Sequence, residues 1–152
     1  MKKVEIVQSY QDINQWFESL YEVEDQKWNA PIEKGKWSMA AVISHLLFWD
    51  RYSLEERFPN MKEGARLSSF PDFQTINDKA REYAESGVSK KELLSEFIQT
   101  RKELLLVLDS YSEEVLDTKF YIGEHEITIR DYFVDFIQHD NHHINQMNGL
   151  IS

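Results

Sequence analysis

Apolar residues recur every three or four positions in four long segments of the chain, and this period constrains the fold more than any other feature. Only 5 Gly and 3 Pro occur in 152 residues, so few positions interrupt a helix. A helix that is apolar along one face must bury that face against neighbouring helices. The pattern therefore predicts an all-α protein in which residues 1–152 form a single domain.

Capping residues and prolines predict where the first two long helices begin and end. The first begins near Ser9, which is followed three residues later by Asp12 as in a capping box, and it ends before Pro31. The second spans about 38–57, with Ser38 as its N-cap. Each of these helices has an apolar face that includes aromatic residues.

The second half of the chain predicts two further long helices. One spans 89–110 and the other about 128–149, and Ser89 and Thr128 are their N-caps. A lesser helix is expected at 72–86, inside a long connection, and residues 120–128 resemble a turn with short extended flanks. Four principal helices with one long crossover connection predict a four-helix bundle, an architecture whose core commonly hosts metal sites.

The chain has no Cys, and this limits the chemistry of any site. A disulfide framework, a thiolate zinc site, an iron–sulfur cluster and a cysteine nucleophile are all excluded. Any bound metal must therefore be held by nitrogen and oxygen ligands.

Acidic residues outnumber basic ones by 27 to 17, which gives a formal charge of −10, and no basic block is present. This balance argues against nucleic acid or an anionic membrane as the main partner, so a small-molecule substrate or a protein is expected. The first thirty residues do not resemble a secretion signal, and no run reaches the eighteen or so apolar residues of a membrane span. The expected location is cytoplasmic.

Histidine is concentrated in the last predicted helix, which contains three of the five in the chain: His139, His142 and His143. His139 and His143 are four residues apart, so one helix face presents both imidazoles to a single ion. A helical wheel places His143 within the apolar face, His139 at its margin and His142 outside it. Asp140 also falls within the apolar face.

The second helix contributes His45, which lies between Ala41 and Trp49 on the apolar face and is expected to point into the bundle. Taken alone, such a residue is more often a core histidine with a satisfied hydrogen bond. The helical wheels point several polar side chains into the same bundle interior. Each one destabilises the fold by about 1–3 kcal/mol if it has no hydrogen-bond partner, and a shared metal ion removes that cost. We therefore predict that His45, His139 and His143 hold a divalent metal.

Three imidazole ligands suit Zn, Ni, Fe or Co, of which Zn or Ni is the favoured cofactor, and they leave a position open for water or substrate. A water or thiol bound there would lose its proton near neutral pH. Asp140 and Gln146 are candidates to hold imidazole N–H groups or the bound water. His142 is expected to be a partly exposed neighbour, with competition as a ligand as the alternative, and His125 is expected to be a surface residue in its loop.

A set of motifs in the second and last helices points to a known family. The motifs are Trp37-Ser38 at a helix start, His45-Leu46, Trp49-Asp50, Thr128 before the last helix, and His139-Asp140-x-x-His143-Ile144-x-Gln146 within it. Together they resemble the DinB/YfiT-like superfamily of metal-dependent proteins. The resemblance implies an up-down-down-up four-helix bundle, a divalent ion held by His45, His139 and His143, and assembly as a homodimer. His142 departs from the family pattern, in which an aromatic residue is common.

Characterised members of this family include transferases that use low-molecular-weight thiols such as bacillithiol or mycothiol. The leading hypothesis from the sequence is therefore a metal-dependent thiol S-transferase, in which a bound thiolate attacks an electrophilic small molecule. The first alternative is a metal-dependent hydrolase that uses activated water. The second is a non-catalytic metal-binding or dimerisation module. Nothing in the sequence separates the transferase from the hydrolase.

Overall fold

The computed structural model describes residues 1–69 and 72–151, and helices dominate this part of the chain. Four long helices build the bundle, and three short ones lie in the connections. In chain order they are α1 (Lys3–Glu18), α2 (Asp25–Asn29), α3 (Met39–Tyr52), α4 (Phe73–Ala84), α5 (Lys90–Ser110), α6 (Glu113–Leu116) and α7 (Ile129–Ile151). No helix in the described ranges is both long and apolar enough to cross a membrane.

The predicted N-caps of three helices are confirmed. The Ser38 hydroxyl accepts a hydrogen bond from the Ala41 backbone N–H at 3.1 Å, and Ser89 caps α5 in the same way at 3.0 Å. Thr128 and Asp131 form a reciprocal capping box at 3.0 and 3.1 Å at the start of α7. A π-helical turn continues the helical path of α3 through residues 53–57, so the predicted end near residue 57 is also confirmed.

The predicted start of the first helix near Ser9 is wrong. The helix begins at Lys3, because the buried stripe already includes Ile6 and continues through Tyr10, Ile13 and Phe17. The chain leaves the α-helical path after Glu18, passes through a 3₁₀ turn, and ends the helical region at Asn29 before the predicted proline stop. The last helix extends two residues beyond the expected end at Gly149.

Contacts between helix ends give the directions of the four long helices. Lys3, at the start of α1, donates a hydrogen bond through Nζ to the Asp109 carbonyl near the end of α5, so these helices are antiparallel. Arg130, at the start of α7, donates to the Met1 carbonyl, so α1 and α7 run the same way. The Ser53 and Tyr132 hydroxyls meet at 2.7 Å and orient α3 against α7. The order is therefore up-down-down-up, as the resemblance implies.

A small three-stranded sheet lies at one end of the bundle. Strands β2 (Lys119–Ile122) and β3 (His125–Thr128) form the hairpin predicted at 120–128, with Ile122 opposite His125. The turn places Gly123 at φ +60°, a conformation that suits a residue without Cβ. Strand β1 (Arg66–Leu67) pairs in parallel with β2 and was not predicted, because two residues are too short to show an alternating pattern.

Candidate metal centre

Three histidines from two helices converge at the edge of the bundle core, where His45 and His143 are half-buried and His139 is exposed. His45 of α3 and His139 and His143 of α7, here called the histidine cluster, each place one ring nitrogen within 4.8 Å of the others. The Nε2 atoms of His139 and His143 are 3.2 Å apart. The ring centroid of His45 lies 5.7 Å from that of His139 and 5.3 Å from that of His143.

These distances can be compared with the geometry that a metal requires. A tetrahedral ion with metal–nitrogen bonds of about 2.0–2.1 Å holds its ligand nitrogens about 3.3 Å apart. The His139–His143 pair already has this separation. No two of the three ring nitrogens are more than 4.8 Å apart, so a shift of at most about 1.5 Å brings the third nitrogen to the same spacing. The cluster therefore fits a divalent ion with three imidazole ligands.

The side chain of Asn77 determines which nitrogen of His45 carries the proton. The Asn77 Oδ1 atom lies 3.0 Å from the Trp49 indole nitrogen and 2.8 Å from His45 Nδ1. An indole N–H only donates, so the Asn77 atom facing it must be the amide oxygen. This oxygen then accepts from His45 Nδ1–H as well. The Nε2 atom of His45 is left with a free lone pair for a ligand bond.

A similar contact orients His143. Its Nδ1 lies 2.9 Å from Gln146 Oε1, one turn further along α7, and an N–H donated to this oxygen leaves Nε2 unprotonated. Metal-binding histidines commonly donate their second ring N–H in this way, because the bond fixes both the tautomer and the ring orientation. Gln146 thus lies where the sequence analysis expects a partner for an imidazole.

The histidine cluster is neutral at physiological pH. Burial lowers the pKa of His45 to about 4, although the hydrogen bond to Asn77 raises it. Burial, reinforced by His139, also lowers the pKa of His143 to about 4. Burial also lowers the pKa of His139. Neutral imidazoles are the form that binds metal, so the site needs no proton removed before an ion enters.

Asp140 pairs with Arg101, and not with an imidazole N–H group as the sequence predicts. Its two carboxylate oxygens accept hydrogen bonds from Arg101 at 2.5 and 2.8 Å. The Nε atom of Arg101 donates to Asp50 at 2.7 Å, and all three side chains are at most 1% exposed. The carboxylate next to His139 in sequence therefore holds Arg101 in the core. We call Asp50, Arg101 and Asp140 the arginine cluster.

Sequence reasoning missed Arg101 and Asn77. Arg101 lies four residues after Phe97 and three before Leu104, on the buried stripe of α5. A cation at such a position is a detectable signal for a buried ion pair. Asn77 lies in α4, within the long connection, and its approach to His45 depends on tertiary packing that no local pattern encodes.

The other two histidines lie outside the cluster. His142 is exposed, and its ring centroid is 5.3 Å from that of His143, but it offers no nitrogen to the group of three. His125 is exposed on β3, as expected for a surface residue. It also lines the mouth of a cavity that the sequence did not reveal.

This cavity has a volume of about 580 Å³ and lies beside the histidine cluster, between α3, α4, α7 and the hairpin. His45 and His139 form part of its wall, and the Trp49 and Phe136 rings and Ile122 of the hairpin provide apolar surface. Its size is in the range of small-molecule sites in proteins. We call it the apolar cavity.

Comparisons with known proteins agree with this architecture. Among solved structures, YfiT from Bacillus subtilis, described as a probable metal-dependent hydrolase with an unusual four-helix bundle topology, superimposes with a TM-score of 0.79. The two proteins are 17% identical, and the alignment covers 97% of this chain and 85% of YfiT. No curated protein matches the sequence. A family profile, described as DinB superfamily, matches residues 5–147. The chain therefore belongs to the DinB superfamily.

Proposed function

We propose that this protein is a metal-dependent hydrolase of small molecules in which His45, His139 and His143 hold a divalent ion. The observation that carries the proposal is the convergence of three neutral imidazoles, each with one ring nitrogen within 4.8 Å of the others, two of which (His45 and His139) lie in the wall of a 580 Å³ cavity. Three protein ligands leave a coordination position open, which is typical of catalytic sites. Zn²⁺ or Ni²⁺ suits this all-imidazole set.

The chain's own residues prepare the site for this chemistry. Asn77 and Gln146 each hold a histidine by its Nδ1–H, so that Nε2 of His45 and of His143 is available for the ion. A divalent ion supplies Lewis acidity and activates water as a nucleophile near neutral pH. The apolar cavity offers a mainly apolar wall to a substrate, and because His45 and His139 belong to that wall, a bound substrate would place its scissile bond near the ion. The description of YfiT as a probable metal-dependent hydrolase supports the proposal.

A thiol S-transferase is the second candidate. The apolar cavity has room for a second reactant beside an electrophile, and the chain has no Cys, so the attacking sulfur would come from a low-molecular-weight thiol. The same ion would lower the pKa of the thiol. A turnover assay with and without added thiol separates the two reactions, because a hydrolase needs none.

Metal binding is tested with two histidine variants that form a matched pair. His143→Ala removes a proposed ligand, whereas His142→Ala removes the adjacent exposed imidazole outside the histidine cluster. We expect the purified protein to bind one Zn²⁺ or Ni²⁺ per chain, His142→Ala to bind equally well, and His143→Ala to lose at least about 100-fold in affinity. Equal binding by the wild type and His143→Ala would contradict the proposal.

Metal binding without catalysis is the remaining alternative. A fourth protein ligand that closes the coordination shell would favour a non-catalytic metal-binding or dimerisation module. A hydrolysis assay decides between the hydrolase and the non-catalytic module. It measures turnover of a panel of aryl esters and amides by the metal-loaded protein and by His143→Ala. We expect turnover that depends on the metal and is lost in the variant.

A further inference from the structure

A second cavity, of about 450 Å³, lies where the π-helical continuation of α3 meets the segment around strand β1. Its lining includes three basic side chains, Arg57, Lys62 and Arg66, and one acidic side chain, Glu56. The cavity therefore has a positively charged wall in a chain whose formal net charge is −10. We call it the cationic cleft.

Arg57 brings a buried charge to the cationic cleft. Its side chain is 1% exposed, and its guanidinium carbon lies 5.3 Å from the Tyr52 ring centroid, so a cation–π contact holds the group in place. A charge that is shielded from water attracts an anion more strongly than an exposed one, because the effective dielectric constant around it is lower. A guanidinium also presents its N–H donors in a planar fork that matches the oxygens of a carboxylate or phosphate.

The other two cations belong to the segment that follows. Lys62 lies in the turn before β1, and Arg66 is the first residue of that strand, with its guanidinium carbon 4.4 Å from the Tyr121 ring centroid. Both side chains are exposed. Neither forms an ion pair in the described part of the chain, so both charges are available to a ligand in the cleft.

Glu56 does not neutralise this wall. It is exposed, and among the described residues it pairs with neither Lys62 nor Arg66. Three positive charges and one negative charge give the lining a net charge of +2. The hydroxyls of Tyr52 and Ser68 supply further hydrogen-bond donors. The charge and the donors of the cleft thus match a ligand with two negative charges on oxygen atoms.

We propose that the cationic cleft binds a small organic dianion, a phosphate monoester or a dicarboxylate, through Arg57, Lys62 and Arg66. The volume of the cleft is in the range of small-molecule sites in proteins. Tyr52, in its wall, lies seven residues after His45, which is about 10 Å along α3. The cleft is therefore a separate site from the histidine cluster, and the inference does not rest on the proposed function.

Calorimetric titration of inorganic phosphate and of succinate into the full-length protein at about pH 8 tests the proposal. We expect at least one of the two anions to bind with a Kd below about 1 mM. Its affinity should fall at least about fivefold when NaCl is raised from about 20 to about 200 mM, because salt screens the exposed cations. Tighter binding of phosphate assigns the cleft to a phosphate monoester, and tighter binding of succinate assigns it to a dicarboxylate.

Four variants assign the binding to this cleft. Lys62→Gln and Arg66→Gln each remove one exposed charge from the lining, and each should weaken the affinity by about fivefold. Lys102→Gln removes the same charge from an exposed position of α5 and should leave the affinity unchanged. His143→Ala removes a proposed metal ligand and should also leave it unchanged, because the anion does not bind at the metal centre.

The inference is overturned if neither anion binds with a Kd below about 1 mM, or if Lys62→Gln and Arg66→Gln bind as tightly as the wild type. Loss of binding in His143→Ala would also overturn it, because the anion would then bind at the metal centre. A protein that binds metal and hydrolyses esters, but binds neither anion in the cleft, contradicts only this inference. A protein that binds an anion in the cleft, but neither binds metal nor hydrolyses esters, contradicts only the proposed function.

Discussion

Replacement of Arg101 by Met should destabilise the protein more than any single surface change. Arg101 is completely buried, donates four hydrogen bonds to Asp50 and Asp140, and lies with its guanidinium carbon 4.9 Å from the Phe97 ring centroid. Met keeps much of the side-chain volume but removes the charge and every donor. Two carboxylates then remain in the core without a cation.

The expected loss follows from this geometry. Removing one partner of a buried ion pair costs about 3–5 kcal/mol, since the remaining charge stays uncompensated. In a domain of this size each kcal/mol shifts the melting temperature by about 2–4 °C, so Arg101→Met should melt roughly 6–20 °C below the wild type. The free energy of unfolding, measured by urea denaturation at pH 7.5, should fall by the same 3–5 kcal/mol.

Lys102→Met is the matched control, because it removes the same charge from the next, exposed position of α5. It should change the free energy of unfolding by no more than about 0.5 kcal/mol. The loss in Arg101→Met should also be smaller at pH 5 than at pH 8. Burial already raises the pKa of Asp50 to about 7 against the lowering effect of Arg101, and the freed carboxylates bind protons more readily still. A loss below about 1 kcal/mol, or one equal to that of Lys102→Met, would refute this reasoning.

The remaining predictions concern the metal centre and the helix cap. Metal affinity should stay nearly constant from pH 7 to about pH 5 and fall towards pH 4, because burial lowers the pKa of His45 from its ordinary value of 6.5 to about 4. Measuring the Zn²⁺ affinity as a function of pH checks this. A tenfold loss of affinity per pH unit beginning at pH 6.5 would contradict it. Asn77→Ala should weaken Zn²⁺ binding about 10- to 100-fold with little loss of stability, as measured by competition with a chelator, because His45 loses the acceptor that orients it; unchanged affinity would exclude this role. Gln146→Ala should weaken binding by a similar factor in the same assay, and unchanged affinity would show that His143 needs no such partner. Thr128→Ala should lower the free energy of unfolding by about 1 kcal/mol in urea denaturation, since α7 loses its capping box, and a loss below about 0.3 kcal/mol would show that the cap is not required.

Most of the fold features that the sequence predicts are encoded by residues close together in the chain. Ser38, Ser89 and Thr128 cap helices because their side chains bond to backbone N–H groups within three residues, which is information that a short stretch of sequence contains. The capping pattern at Ser9 and Asp12 predicts too late a start for α1, because the buried stripe of the helix already begins at Ile6. Strand β1 depends on a partner more than fifty residues away, and no local pattern indicates this pairing.

The candidate site likewise has features that local sequence predicts and features that depend on tertiary packing. The helical wheel brings His45 and His143 to the interior, because helical periodicity alone sets which face each residue occupies. The role of Asn77 and the pairing of Asp140 with Arg101 depend on which helices are neighbours. The apolar cavity needs α4 and the hairpin to lie against α3 and α7, so His125 and Asp135 gain their position only from the assembled fold.

A crystal structure of the zinc- or nickel-loaded protein, with anomalous scattering measured at the metal edge, tests the central claim most directly. The account predicts one anomalous peak per chain, bound by His45, His139 and His143, with at least one coordination position open to the apolar cavity. Absence of a peak after loading, a peak held by His142 in place of a cluster member, or a shell closed by a fourth protein ligand would contradict it.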